Sequence, residues 1–457
     1  MHQMPNFLDP DEDAQNVIPM LKQLYKTESH IFKHQAHHIL FNVASGDFFE
    51  IDAVQKDMVE ACSGCTLNDI LNVLQDRHTE KQVLSAFKSL LEAGIITDTP
   101  LENMQNFSLP NRLEIVHFDL EITTDTLSGV VEKVAYMDEE VALKALALLL
   151  KESGRVRQCS VAFRGGEPLL NAPLVEKVIE EGYRLGEKLG KEMHFQVVTD
   201  VRLLNKSLFN RLQKLGVEVI VKFDVDERPP LFGGQGAYSL SSVDMPEHIQ
   251  EKQAPVGLHY ALDGQHTNFT KDMQQILDLY PTVKRVDFAP DEPVVTRDNL
   301  LHIQDAYANL AQYVAIQALH GQETWIEGLE KYVYQVFNQK ASFLHSGIGV
   351  HSLTVDPDGV LQASPTGDQA VGTVWEGVDR QKQGDWIQAT RVDKLDGCKT
   401  CWARHLCGGA CRLQTRGGDV DVLSECELTQ YKYELAMRTC LNIASQNQDV
   451  LYQRYME

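Results

Sequence analysis

Closely spaced cysteines near the C-terminus are the residues best suited to chemistry in this sequence. Five of the nine cysteines fall between positions 398 and 426, namely Cys398, Cys401, Cys407, Cys411 and Cys426. Their spacing is Cys-x2-Cys-x5-Cys-x3-Cys-x14-Cys. Thiolates at such intervals are ligands of tetrahedral zinc and of iron–sulfur clusters, and the glycines at 408 and 409 let the backbone wrap a metal. The pattern therefore predicts a metal centre and leaves the choice of metal open.

A second candidate site is the sequence FRGGEPLL at positions 163–170. An apolar run ends there in Gly165 and Gly166, and Glu167 and Pro168 lead into a helical pattern. Strand, tight turn and helix are the typical order for such a segment. The glycines would let the backbone approach a ligand, and the Glu167 carboxylate would lie where α/β sheets bind their substrates. An ordinary loop between a strand and a helix is the alternative interpretation.

The elements that must position these residues follow from alternating apolar strands and amphipathic helices after position 113. Strands are predicted over 114–122, 160–163, 195–199, 217–223, 256–260 and 285–288, with helices such as 139–151 and 206–215 between them. About six βα units predict a parallel sheet or partial barrel. The strand ends would turn polar side chains toward one face. These side chains are Glu121, Thr123, Arg164, Glu167, Asp200, Asp224, His259 and Asp287.

The segment 28–99 has a different pattern. Apolar runs on both sides of Ser45-Gly46-Asp47 predict a β-hairpin, and helical periods follow over 53–61, 67–74 and 79–91 before a short strand near 94–97. Strands with three helices in so short a segment are typical of a winged helix. Winged helices commonly bind DNA, but a net charge of −23 argues against a nucleic-acid partner. A DNA-binding regulator is therefore only a remote alternative.

Composition limits the remaining classes of function. The 457 residues, 43% of them hydrophobic, suffice for two or three globular domains. No apolar run reaches membrane-spanning length, and the N-terminal sequence MHQMPNFLDPDEDAQ lacks the apolar stretch of a signal peptide. We expect a cytoplasmic protein with neither a membrane nor a nucleic acid as partner. In that compartment, crowded cysteines indicate metal rather than disulfides.

The segment around GGEP resembles radical SAM enzymes, in which this loop holds the amino group of S-adenosylmethionine. Further similar positions occur in the order of that family: Thr199-Asp200, Lys222-Phe223-Asp224 and the stretch 234–238. The resemblance implies an α/β fold with a six-unit (βα) partial TIM barrel of radical SAM type.

The resemblance breaks where radical SAM enzymes carry Cys-x3-Cys-x2-Cys after the first strand. The matching positions are Thr126, Val130 and Lys133, and no cysteine lies between Cys65 and Cys159. An iron–sulfur cluster requires thiolates. We therefore expect no radical SAM cluster, and we expect the GGE loop to be a vestigial cofactor site.

The cysteine-rich segment resembles the SPASM domain, which holds two auxiliary 4Fe-4S clusters in radical SAM peptide-modifying enzymes. By this resemblance Cys398, Cys401, Cys407 and Cys426 hold the outer cluster. The fourth cysteine of the dense run, Cys411, would join an upstream pair at the inner cluster, but both upstream positions are serine, Ser346 and Ser364. The resemblance thus implies a single 4Fe-4S cluster, with zinc as the alternative metal and Cys411 as a further candidate ligand.

The N-terminal pattern resembles the RiPP recognition element, a domain related to the PQQ-pathway peptide chaperone. In that family a leader peptide adds as a strand to an exposed sheet edge and packs on the third helix. The matching positions are Phe48, Phe49, Glu50 and Ile51, with the helix over 82–91.

These resemblances divide the chain into four parts and imply a function. The parts are an acidic leader and helix (1–27), a recognition-element-like winged helix (28–99), a radical SAM-like partial barrel (110–320) and a SPASM-like metal-binding domain (321–457). We expect a catalytically degenerate protein that binds the leader of a ribosomally made precursor peptide. It would form a heteromeric complex with a catalytically complete radical SAM enzyme. The alternative is an enzyme with refitted, non-radical chemistry in the barrel cavity that still binds a ligand similar to S-adenosylmethionine.

Overall fold

The structure, a computed structural model, describes residues 22–99, 113–126, 134–222, 256–262, 269–279, 283–290, 295–344, 347, 349–364, 369–409 and 421–456. Several of the positions discussed above lie outside this part of the chain, namely Val130, Lys133, Phe223, Asp224, the stretch 234–238, Ser346 and Cys411.

The described residues 22–99, which we call the N-terminal part, contain two small sheets and three helices. Strands β2 (Ser29–His34), β3 (His37–Asn42) and β4 (Phe48–Ile51) form an antiparallel sheet, while β1 (Gln23–Lys26) pairs with β5 (Cys65–Thr66) and β6 (Ile96–Thr97). Helices α1 (Ala53–Ala61), α2 (Leu67–Leu74) and α3 (Glu80–Glu92) begin at capping boxes, whose N-caps are Asp52, Thr66 and Thr79. Capping boxes satisfy orphan backbone donors within one turn, so these helix starts are fixed by local sequence.

A sheet of eleven strands forms the centre of the molecule, in the order β13-β12-β11-β10-β9-β8-β7-β14-β15-β16-β17. Neighbours are parallel from β13 to β14, and the last three strands are antiparallel. The strands are β7 (His117–Thr123), β8 (Gln158–Gly165), β9 (Glu192–Asp200), β10 (Glu218–Lys222), β11 (Val256–Leu262), β12 (Val283–Pro290), β13 (Trp325–Ile326), β14 (Ser352–Val355), β15 (Val360–Gln362), β16 (Ala370–Thr373) and β17 (Gly377–Val378). The prediction of a mixed α/β fold with a parallel sheet is confirmed. Strand β14, which adds to β7, was not predicted.

Helices alternate with the parallel strands as the sequence predicts. They are α4 (Glu139–Glu152), α5 (Ala172–Leu189), α6 (Lys206–Lys214), α7 (Phe269–Leu279), α8 (Leu300–Leu319) and α9 (Glu327–Phe337). Three helices follow the last strand of the sheet in the chain: α10 (Arg380–Thr390), the short α11 (Arg404–Cys407) and the long α12 (Val422–Tyr455) among the described residues. Helix α12 has a non-helical residue at Asn447. No helix in the described ranges is long and apolar enough to cross a membrane.

The β2–β4 sheet lies between two apolar cores. On one face, Leu40 and Ile51 pack with the helices α1–α3 in a core of their own. On the other face, Ile39 and Phe41 belong to the large core that surrounds the central sheet. Because side chains alternate between faces along a strand, one short sheet can join the N-terminal helices to the rest of the molecule.

Candidate functional site

The glycine pair of the GGE loop is required by the close approach of two strand ends. Gly165 has φ +98°, and a Cβ atom built on it would lie 2.3 Å from the Thr123 carbonyl oxygen. A Cβ on Gly166 would lie 1.8 Å from the Asp125 carbonyl oxygen. The same two carbonyls accept hydrogen bonds from the N–H groups of Gly166 and Glu167, each at 2.7 Å. Backbone packing between β7 and β8 therefore explains both glycines.

The Glu167 carboxylate links the ends of β8 and β9. Its side chain is buried, and Oε2 accepts hydrogen bonds from Thr199 Oγ1 and from the Asp200 N–H, both at 3.0 Å. Asp200 in turn binds Arg202 through two hydrogen bonds of 2.9 and 2.7 Å. The carboxylate thus lies at the carboxyl ends of parallel strands, where the sequence predicts it. Its hydrogen bonds connect the end of β8 to the end of β9.

A polar cluster follows one face of β7 and β8. His117 Nδ1 lies 2.7 Å from Ser160 Oγ, and Arg164 Nε donates to Asp119 Oδ1 at 2.5 Å. Burial acts to raise the pKa of the Asp119 carboxyl, but the hydrogen bond from His117 and the charge of Arg164 outweigh it and hold the pKa below its usual range.

Glu121 continues this polar row one step nearer the strand end. Burial, together with the negative charges of Asp356 and Asp119, raises the pKa of the Glu121 carboxyl. Arg164 is its register partner on β8. The sequence prediction named Glu121 and Arg164 but missed His117, Asp119 and Ser160. The alternation of polar and apolar residues along β7 is the sequence signal that could have identified His117 and Asp119.

The other predicted strand-end residues have separate positions. The Thr123 hydroxyl donates to the Ala135 carbonyl at 2.8 Å, which gives it a structural role. In the strand register, Asp200, His259 and Asp287 fall in one row across β9 to β12, through Lys222.

A second polar cluster, absent from the sequence prediction, connects β9, β10, β12 and α9. Gln196 donates to Glu218 at 2.8 Å, and Arg285 lies 3.8 Å from Glu218 and 3.4 Å from Glu327. Trp325 Nε1 donates to the same Glu327 carboxylate at 2.7 Å. Gln196, Glu218 and Arg285 are distant from one another in sequence, so only the sheet brings them together.

Four of the five clustered cysteines lie in one neighbourhood. Burial raises the pKa of the Cys401 thiol to about 11, and Cys407, Cys398 and Cys426 each add to the rise. The three other thiols are therefore close enough for their charges to act on Cys401. Among the described residues, no three His, Cys, Asp or Glu side chains form a ready-made ligand set for an ion. By its chemistry, a set of four thiols fits a metal centre, and metal binding would bring the ligands into one coordination shell.

Ser364, one of the two upstream positions at which the resemblance implies a cysteine, carries a buried hydroxyl. It is 1% exposed and lies two residues after the end of β15. A hydroxyl is not among the usual ligands of an iron–sulfur cluster.

The β2–β4 sheet has two edges, and they differ in how they are covered. On β2, the Lys33 carbonyl accepts a hydrogen bond of 3.1 Å from Arg438 of α12. On β4, the pairing with β3 starts from the Asn42 N–H to Asp47 carbonyl bond of 2.8 Å. Because hydrogen-bonded pairs alternate along an antiparallel ladder, Phe49 and Ile51 bond to β3, and the backbone groups of Phe48 and Glu50 point away from it. No strand of the described chain pairs with this outer side.

Comparison with known proteins places the fold. No family model and no curated protein matches this sequence. Among solved structures, the chain is similar to anSMEcpe with bound AdoMet, with a TM-score of 0.56 and 16% identity over 72% of this chain and 99% of that chain. A structure of anSMEcpe with bound AdoMet and Cp18Cys peptide gives a TM-score of 0.56 and 15% identity over 73% and 99%. Streptococcus suis SuiB bound to S-adenosylmethionine is less similar, with a TM-score of 0.45 and 12% identity over 84% and 95%.

The chain is thus similar in fold to radical SAM/SPASM peptide-modifying enzymes at low sequence identity. At such identities the similarity defines the architecture and leaves the chemistry to the residues of this chain.

Proposed function

We propose that this protein binds the leader of a ribosomally synthesised peptide or protein along β4 and assists its modification by a partner radical SAM enzyme. The observation that carries the proposal is the outer side of β4, where the backbone groups of Phe48 and Glu50 point away from the sheet. An extended peptide can add to such an edge through main-chain hydrogen bonds. Similarity in fold to anSMEcpe, which has been crystallised with a peptide, supports a peptide substrate.

The contacts of the opposite edge strand support β4 rather than β2 as the docking edge. The opposite edge strand, β2, carries contacts with α12 through Arg438, and Arg438 also lies over the Phe32 ring at 5.1 Å. An added strand at β2 would have to displace these contacts. The Phe49 side chain packs on the helical core of the N-terminal part, so that face of β4 offers apolar surface beside the edge.

Binding is tested with proline at position 50. Glu50→Pro removes an outward N–H without touching the β3 ladder, because proline has no donor. We expect the dissociation constant for the leader of a precursor encoded in a neighbouring reading frame to rise about tenfold, the value of one lost hydrogen bond. Fluorescence anisotropy with a labelled leader measures it.

The matched control for this test is Glu50→Ala, which removes the same side chain and keeps the N–H. It should bind as the wild type does. Equal affinity of the proline variant, with circular dichroism showing a folded protein, would contradict docking at β4.

We further propose that the protein performs no radical chemistry itself. The residues at the expected cluster positions, Thr126, Val130 and Lys133, do not fit a cluster because none has a thiol. Reduced, reconstituted protein should therefore form no 5′-deoxyadenosine from S-adenosylmethionine, as liquid chromatography with mass spectrometry would show. Formation of that product above a protein-free control would overturn this part of the proposal.

Four of the clustered cysteines would hold one metal centre with a structural role. Cys398, Cys401, Cys407 and Cys426 supply four thiolates, which close the coordination shell of a 4Fe-4S cluster or of zinc. A centre with a full shell of protein ligands has no position for a substrate. When bound, it would supply folding free energy to the segment around it.

A further inference from the structure

The loop between two proposed metal ligands also touches the N-terminal sheet. Trp402, next to Cys401, stacks on His30 of β2 with ring centroids 4.0 Å apart and planes at 2°. The same indole meets the edge of the Phe41 ring at 5.7 Å. Aromatic pairs in these geometries contribute beyond their buried area. The cysteine loop therefore holds one face of the β2–β4 sheet.

Arg404, three residues further along, makes the second contact. Its Nη1 and Nη2 atoms donate to the two carboxylate oxygens of Glu28, directly before β2. Nη1 also donates to the Cys401 carbonyl at 2.9 Å. Bidentate guanidinium–carboxylate pairs fix orientation as well as distance. One side chain thus connects the backbone of a proposed ligand to the N-terminal part.

Helix α12 supplies contacts that do not depend on this loop. Glu434 accepts from His30 at 2.9 Å, and Arg438 donates to the Lys33 carbonyl at 3.1 Å. Loss of order in the loop would remove the contacts of Trp402 and Arg404 and leave those of α12. We therefore expect the N-terminal part to loosen without separating completely.

We propose that metal bound at the four cysteines locks the N-terminal sheet against the rest of the molecule through Trp402 and Arg404. The loop from 402 to 406 has a proposed ligand at each end, Cys401 and Cys407, so metal binding fixes its conformation. Without metal the loop gains conformational freedom, and ordering the two contact residues costs more free energy. Because β4 belongs to the same sheet as β2, the metal centre would also fix the orientation of the proposed peptide-binding edge relative to the central sheet.

This inference rests on the metal centre proposed above, but its test needs no leader peptide. Hydrogen exchange measured by mass spectrometry compares residues 29–51 in metal-loaded and metal-free wild type, with metal content measured in the same samples. A Trp402→Ala, Arg404→Ala double variant is compared in both states. Lys399→Ala is the matched control, since Lys399 lies between the proposed ligands Cys398 and Cys401 and, within the described part of the chain, its ammonium group donates to nearby Asp396 rather than to the N-terminal sheet.

We expect exchange over 29–51 to become about tenfold faster on metal removal from wild type, with strands β7–β9 unchanged. The loaded double variant should keep its metal and already exchange at the faster rate, and metal removal should then add little, because coupled effects are not additive. Lys399→Ala should behave as wild type.

Several outcomes would overturn the lock. These are equal exchange over 29–51 in loaded and metal-free wild type, an undiminished metal effect in the double variant, or equal loss of protection across β7–β9. A purified chain without metal would overturn the proposed metal centre itself, which separates the two failures.

Discussion

The GGE loop and the cysteine segment differ in what holds them together. At the GGE loop, backbone bonds from Gly166 and Glu167 and the carboxylate bonds to β9 fix the geometry with groups of the chain alone. At the cysteine segment, the charges of Cys398, Cys407 and Cys426 act on the pKa of Cys401, yet the described residues contain no ready-made ligand set. The GGE loop is therefore held by groups of the chain itself, whereas the proposed metal centre would depend on an added ion or cluster.

The largest expected effect tests whether the GGE loop is structural. In Gly166→Ala the new methyl group would meet the Asp125 carbonyl at 1.8 Å, and backbone atoms have no way to move aside cheaply. We expect the free energy of unfolding to fall by about 3 kcal/mol, the upper range for overpacking. Urea denaturation followed by circular dichroism measures the change.

Gly384→Ala in α10 is the control for that substitution. Apart from the backbone of its own helix and its two chain neighbours, no heavy atom of the described residues lies within 4 Å of the added Cβ, so this variant should be unchanged or slightly more stable. A Gly166→Ala protein as stable as wild type would show that the loop has room for a ligand and would favour retention of a cofactor site.

The second effect concerns the metal dependence of the cysteine segment. Cys407→Ala removes one of four proposed ligands, so we expect it to lose the metal and to expose the C-terminal region to proteolysis. Cys411→Ala should keep the metal, because the resemblance leaves this cysteine without its two companions. Plasma emission analysis with an absorbance spectrum of anaerobically purified protein decides between them. Equal metal loss in both variants would show that Cys411 is a ligand.

The smallest expected effect concerns the ion pair between Arg164 and Asp119 in the polar row on β7. The pKa of Asp119 is lowered in the folded protein, so its charge stabilises the fold above its unfolded pKa of about 3.9, and that contribution is lost as the pH falls through the folded value. Arg164→Gln should destabilise the protein by less than about 1 kcal/mol at pH 7, since Arg164 is half exposed. The difference from wild type should shrink below about pH 4.

Arg157→Gln, whose guanidinium lies 3.9 Å from Glu192 and is largely exposed, is the comparison for this prediction. It should leave stability unchanged at either pH. A destabilisation by Arg164→Gln that is constant from pH 7 to acid would mean that Arg164 acts by packing rather than by its charge on Asp119.

The sequence by itself determined the elements whose causes are local. Helices α1 and α2 have the predicted bounds, and α3 begins one residue after the predicted start at Thr79, because each capping box closes within four residues. The alternation of strands and helices after position 113 predicted the parallel sheet, since a helix between two strands is the usual crossover that makes neighbouring strands parallel. The position of Glu167 at a strand end followed from the same pattern.

Only the tertiary structure decided which groups meet across long stretches of chain. Arg438 covers β2 from 405 residues away, Trp402 stacks on His30, and β14 pairs with β7. No periodicity or local motif records such pairs, because they arise from the packing of whole elements rather than from neighbouring residues. The outward direction of the Phe48 and Glu50 backbone groups is of the same kind: it depends on the register of β4 against β3, which the fold sets and the strand sequence alone leaves open.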